Sequence, residues 1–174
     1  MAWWRKNKQG PAGEAEVVTR ALESGGDRVL AAASDSITGR VVVAALHDLL
    51  TVTRDAEIIS RRRWLEVDAG SWEDSTGTIS VTWVDGSRGT QWTFGADQYR
   101  FAEAFRDRVE ASRVVDAPVM DGDRSLGRAA VRKDLRTGEL VPQLMVDRRV
   151  RRDDVEARRM GEEVLAELRE QVGI

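Results

Sequence analysis

Between residues 27 and 94 apolar positions come in short runs, broken at short intervals by turn residues. That spacing predicts an all-β stretch of seven strands, at 28–33, 40–46, 49–54, 57–62, 69–73, 78–84 and 90–94. Within them Ile79, Val81 and Trp83 alternate with Ser80 and Thr82. Thr90, Trp92 and Phe94 likewise alternate with Gln91 and Thr93, giving each strand one buried and one wetter face. Asp85-Gly86 and Thr76-Gly77 supply the positive-φ positions of tight hairpins. The period then changes. Phe101, Ala102, Phe105 and Val109 form a helical stripe, with Asp97 placed to cap it. Upstream, Ala15, Val18 and Leu22, flanked by Val17 and Ala21, predict an amphipathic helix over 14–23 that Gly25-Gly26 ends.

Beyond the second helix, residues 115–126 hold Pro118, Gly122 and three aspartates and read as a linker. Residues 128–133 and 139–146 predict two strands around Thr137-Gly138, with Pro142 marking an edge position. Asp153 and Glu156 resemble a capping box. The helix after them runs to about residue 172, with Ala157, Met160, Gly161, Val164, Leu165, Leu168 and Val172 inward. A lone hairpin is marginal in water, so this ββα unit needs its helix, or the rest of the chain, as cover. The organisation expected is α+β: a flexible basic and Trp-bearing tail (1–13), an N-terminal helix (14–26), a β-rich body with its helix (27–115), a linker (116–126) and a ββα appendage (127–174).

Seven short strands followed by a helix resembles the pleckstrin-homology-like fold, and the details are similar to a group of small actinobacterial proteins with that fold. The similar stretches are Arg28-Val29-Leu30-Ala31-Ala32-Ala33, Gly39-Arg40-Val41-Val42-Val43-Ala44 and Leu49-Leu50-Thr51-Val52. Trp64-Leu65-Glu66-Val67, with Gly70 and Trp72 following, is similar as well. So is the tail, where Arg132, then Thr137-Gly138-Glu139, precede a helix ending in Leu165-Ala166-Glu167-Leu168. The likeness spans residues 28–173. It implies a seven-stranded antiparallel PH-like barrel closed by a helix, with the ββα unit appended. It implies no activity, because a fold does not define one.

Composition narrows the setting. The chain has no cysteine, which excludes disulfides, thiolate metal sites and a thiol nucleophile, and fits a reducing compartment. No apolar run approaches the roughly 20 residues of a membrane span, and residues 1–10 lack the apolar stretch of a secretory signal. A cytoplasmic protein is expected. The net charge of −3 hides an imbalance: residues 27–121 carry 11 basic and 16 acidic groups, whereas residues 124–159 carry 11 basic and 6 acidic. An acidic body and a basic appendage could pack on each other.

Little in the sequence carries chemistry. His47 is the only histidine, leaving no second imidazole for zinc and no Ser-His-Asp set. The paired acids Asp153-Asp154, Glu162-Glu163 and Glu73-Asp74 read as a helix cap, a solvated face and a turn. No phosphate-cradling glycine loop is present, and Gly25-Gly26 follows a helix where such a loop would need a strand before it. No cofactor, no metal and no enzymatic activity are expected. Trp3, Trp4, Arg5, Lys6 and Lys8 are candidates for touching an anionic membrane, at about 1 kcal/mol per nearby cation. The turn at 34–39 lacks the basic cluster of phosphoinositide-binding members of the fold. Arg61, Arg62 and Arg63, with Arg148, Arg149, Arg151 and Arg152, are candidates for contacting an anion or a partner. They lack interleaved exposed aromatics other than Trp64, which disfavours nucleic acid. Trp72, Trp83 and Trp92 read as core. The functional expectation is a non-catalytic module that binds another protein. A peripheral membrane adaptor and a weak nucleic-acid binder are the alternatives.

Overall fold

The structure is a computed structural model that describes residues 18, 22, 27–95, 98–151 and 153–174. Its first seven strands fall where the alternation places them: β1 (Val29–Ser34), β2 (Val41–Ala45), β3 (Asp48–Val52), β4 (Ile58–Arg63), β5 (Val67–Glu73), β6 (Thr78–Trp83) and β7 (Thr90–Thr93). They form two antiparallel sheets, ordered β1-β2-β3-β4 and β5-β6-β7. Gly77 and Gly86 take the positive φ that the hairpin turns require, +63° and +69°.

A closed seven-stranded barrel was the expectation, and the strands do not close. A 3-10 turn, Trp64–Glu66, carries the chain out of the first sheet before β5 begins, so β4 and β5 do not pair. At the opposite corner the backbone link is Ser36 N–H to the Thr93 carbonyl, 2.7 Å, without a strand ladder. The sheets instead share a dry core of Val42, Ala44, Leu49, Ile79, Val81, Trp83 and Trp92.

The helix α1 (Tyr99–Ser112) seals that core with Phe101, Phe105 and Val109, the stripe read from the sequence. Phe105 meets Trp64 edge-on at 5.6 Å, and Phe101 lies 4.8 Å from Phe94, both within the range of favourable aromatic pairs. The Trp64 indole N–H is satisfied by the Ala45 carbonyl at 3.0 Å. Asp97, the expected cap, lies outside the described residues; Gln98 occupies the cap position and makes no side-chain cap bond.

Every residue of β2 and β3 is buried, because their second face is covered too. Val18 and Leu22, both helical, pack there on Val41, Val43, Leu50 and Val52. This agrees with the helix read at 14–23, whose other residues, like the tail at 1–13, lie outside the described set.

The segment expected to be a linker is a strand. α1 runs directly into β8 (Arg113–Asp121), which pairs with β9 (Arg124–Lys133), and β10 (Leu140–Val146) completes a sheet ordered β10-β9-β8. The appendage is thus three-stranded. Pro118 is tolerated because β8 is an edge strand, as Pro142 is on β10. The second helix, α2 (Val155–Val172), covers one face through Ala157, Leu165 and Leu168. Its N-cap is Asp154, which accepts from Ala157 N–H at 3.0 Å; Asp153, one residue earlier than this cap, pairs with Arg151 instead.

The other face of this sheet meets the body through arginines and aspartates. Arg128 binds the Asp68 carboxylate, and Arg132 and Arg113 donate to the Asp68 carbonyl at 3.2 and 3.4 Å. Arg136 reaches Asp48 at 2.7 Å, Arg63 reaches Asp134 at 3.0 Å, and the Gln143 amide donates to the Leu65 carbonyl at 3.0 Å. The acidic body and basic appendage therefore neutralise each other. Arg132 is buried, and burial, followed by the neighbouring Arg113 and Arg128, pushes its guanidinium below its ordinary value.

Candidate functional site

The arginines singled out in the sequence are mostly occupied within the molecule. Arg61 binds buried Asp48 at 2.7 Å. Arg62 binds Asp85 at 2.9 Å and lies 4.9 Å over the Trp83 ring. The Ser87 hydroxyl and N–H, and then Arg62, hold the Asp85 carboxyl down at about 2. Arg63 spans to Asp134. Arg148 donates to the Gly86 and Ser87 carbonyls at 3.2 and 3.3 Å, and Arg151 pairs with Asp153. Arg149 is exposed. Arg152 lies outside the described residues, as do Trp3, Trp4, Arg5, Lys6 and Lys8. Arg62 of the first group and Arg148 of the second meet at the same turn, residues 85–87, where each is bonded to the protein itself.

His47 Nδ1 lies 2.9 Å from Asp27, whose other oxygen accepts the His47 backbone N–H at 3.1 Å. The pair ties the start of β1 to the β2–β3 turn. Among the described residues no cluster of three or more His, Asp or Glu could hold a metal ion, and no helix is long and apolar enough to cross a membrane. A cleft of about 610 Å3 opens between the β6–β7 turn and the start of α2, but its Arg148 and Arg151 are engaged as described above.

A second concavity is one the sequence did not announce. β5 is an edge strand, paired with β6 alone, and Ala69, Gly70 and Ser71 along it are exposed. α1 runs beside it in the opposite direction. Trp72 faces Tyr99 with ring centroids 6.4 Å apart, Gly70 lies against the Phe105 ring, and Asp68 meets Arg113 at the far end. Between strand and helix lies a cleft of about 490 Å3, lined by Gly70, Trp72, Ile79, Tyr99, Phe105 and Val109 with charged groups on its rim.

Two residues shape this cleft. A Cβ at position 70 would collide with the Phe105 ring, so glycine is what lets helix and strand approach closely. Trp72, read as core, is only partly buried: its indole N–H goes to Asp74 at 2.5 Å and its ring forms a wall. An isolated glycine inside a strand pattern is the signal that could have found the site, since it marks a close approach. Compared with known proteins, the sequence matches no family model and no curated protein.

Proposed function

We propose that the protein is a non-catalytic interaction module that takes an extended segment of another protein against the outer edge of β5, with side chains entering the cleft beneath α1. One observation carries this reading: an exposed, one-sidedly paired strand lies directly beside an aromatic-lined cleft. Strand addition gains affinity from main-chain hydrogen bonds and specificity from side-chain cavities, and this site offers both. The order of the first seven strands with α1 after them supports assigning the body to the pleckstrin-homology-like fold, as two facing sheets. The absence of cysteine supports a reducing, cytoplasmic setting.

The test is selection from a displayed peptide library, followed by mapping of backbone amide shifts with a selected peptide. Shifts are expected at residues 69–73 and along α1. Shifts confined to Arg61–63 or to residues 148–151 would reject the docking edge.

A further inference from the structure

The Tyr99 end of the cleft receives one aromatic ring and one carboxylate from each of its walls. The β5 side supplies Trp72 and, in the turn after the strand, Asp74. The helix supplies Tyr99 and, four residues on, Glu103, which share one face of α1. The two rings stand 6.4 Å apart and are tilted by 57°, so they form a corner in which one group can lie within about 6 Å of both centroids. Tyr99 is 54% exposed, and its ring is therefore available to a ligand. Asp74 accepts the Trp72 indole N–H at 2.5 Å, which fixes that ring as a wall of the corner. Among the described residues no ion pair engages Asp74 or Glu103.

Resting on the docking reading above, we infer that this corner takes one cationic side chain of the docked segment, a lysine ammonium or its methylated form. The face of an aromatic ring is negative and attracts a cation, whereas a neutral apolar side chain gains burial alone. An acidic side chain in the same corner would meet two like charges and two negative ring faces. Two features oppose a cation. The N-terminal end of the α1 dipole carries about half a positive charge, and Arg106 stands one turn beyond Glu103 on the rim. Two full carboxylates outweigh the half charge, and Arg106 pairs with neither of them. Beyond this corner the rim alternates in sign through Arg106, Glu110 and Arg113, and Arg113 is held by the Asp68 carbonyl. The preference is thus local to one position of the segment and sets neither its direction nor a second charged position.

The probes are acetylated and amidated heptapeptides of threonine and valine that differ only at the central residue: lysine, trimethyllysine, norleucine or glutamate. Affinity is read at low salt by titration of backbone amide shifts, and the site by residues 69–73 together with the Trp72 indole N–H signal. The lysine and trimethyllysine peptides should bind about fivefold to tenfold more tightly than norleucine, the sum of one cation–π contact and one half-exposed ion pair. Glutamate should bind more weakly than norleucine. Glu103→Gln, a change at an exposed side chain, should cut the cation preference about twofold to threefold and leave norleucine binding unchanged. Tyr99→Leu should cut the preference by a similar factor, and Tyr99→Phe should keep it. Trimethyllysine that binds no better than norleucine would overturn the part assigned to the rings. Lysine, trimethyllysine and norleucine peptides of equal affinity that all shift residues 69–73 would overturn the cation site while leaving the docking edge standing. Failure of all four peptides to shift those amides would overturn both.

Discussion

Two joints hold this molecule together, and they are made of different materials. The joint between the two body sheets is dry: Trp64, Phe101, Phe105, Ile79 and Val81 meet in one core. Burying each large side chain of this kind contributes roughly 1.5 to 3 kcal/mol. The seam between body and C-terminal unit is built from Arg128–Asp68, Arg136–Asp48 and Arg63–Asp134, with Leu135 as an apolar contact to the body core. Exposed or half-exposed ion pairs contribute about 0 to 1 kcal/mol each and weaken with salt. The body is therefore held by non-directional burial, and the C-terminal unit is oriented on it by directional, salt-sensitive contacts.

The largest effect is expected in the dry joint. Phe105→Ala should cost about 3 to 5 kcal/mol in urea unfolding, by leaving a void beneath Trp64 and Gly70. Asp48→Ala in the seam should cost less, about 1 to 2 kcal/mol, because Arg61 and Arg136 lose their shared carboxylate but are exposed enough to rehydrate. Added salt should shrink the Asp48 effect and leave the Phe105 effect unchanged. Equal costs for the two variants would erase the distinction between the joints.

Acid probes a polar fastening at the edge of the dry joint, the Asp35 carboxyl that accepts the Thr93 N–H at 2.9 Å. Burial pushes the Asp35 carboxyl up, but the Thr38 hydroxyl and the N–H groups of Thr93, Thr38 and Ile37 outweigh it and hold the group below its ordinary 3.8. A carboxyl lowered on folding contributes stability above its unfolded value, and that contribution is lost as pH falls through the folded value. Stability should therefore decline below about pH 4, and Asp35→Asn should flatten part of that decline in a pH series of thermal unfolding. Smallest of all, Arg159→Gln on the outer face of α2 removes ion pairs to Glu156 and Glu163 that belong to neither joint. No resolvable change in the unfolding midpoint is expected.

Much of the architecture was legible because several strands write their two faces into alternate residues, whereas β2 and β3, buried on both faces, show as short apolar runs. β6 and α1 are the clearest cases, with Ile79, Val81 and Trp83 at period two and Phe101, Phe105 and Val109 at helical spacing. β8 carries the same alternation in Val115, Ala117 and Val119, but Pro118 and the aspartates mask it, since these breakers are harmless only on an edge that the sequence does not reveal. Whether distant edges pair is likewise invisible to local periodicity, which is why separate sheets were read as a closed barrel. The charge imbalance did foreshadow the seam. The cleft was hidden because Trp72 looks like any inward aromatic until the neighbouring Gly70 brings Phe105 beside it.

Ser112 ends α1 and Arg113 begins β8, with no residue between them to absorb slack. Ser112 is itself pinned, donating to the Val109 carbonyl at 2.7 Å and accepting from Arg132. The helix forming one wall of the cleft and the first strand of the C-terminal sheet are thus joined without a linker, and Ser112 is hydrogen-bonded to helix and sheet alike, so a wall of the cleft and the far sheet share one continuous stretch of backbone.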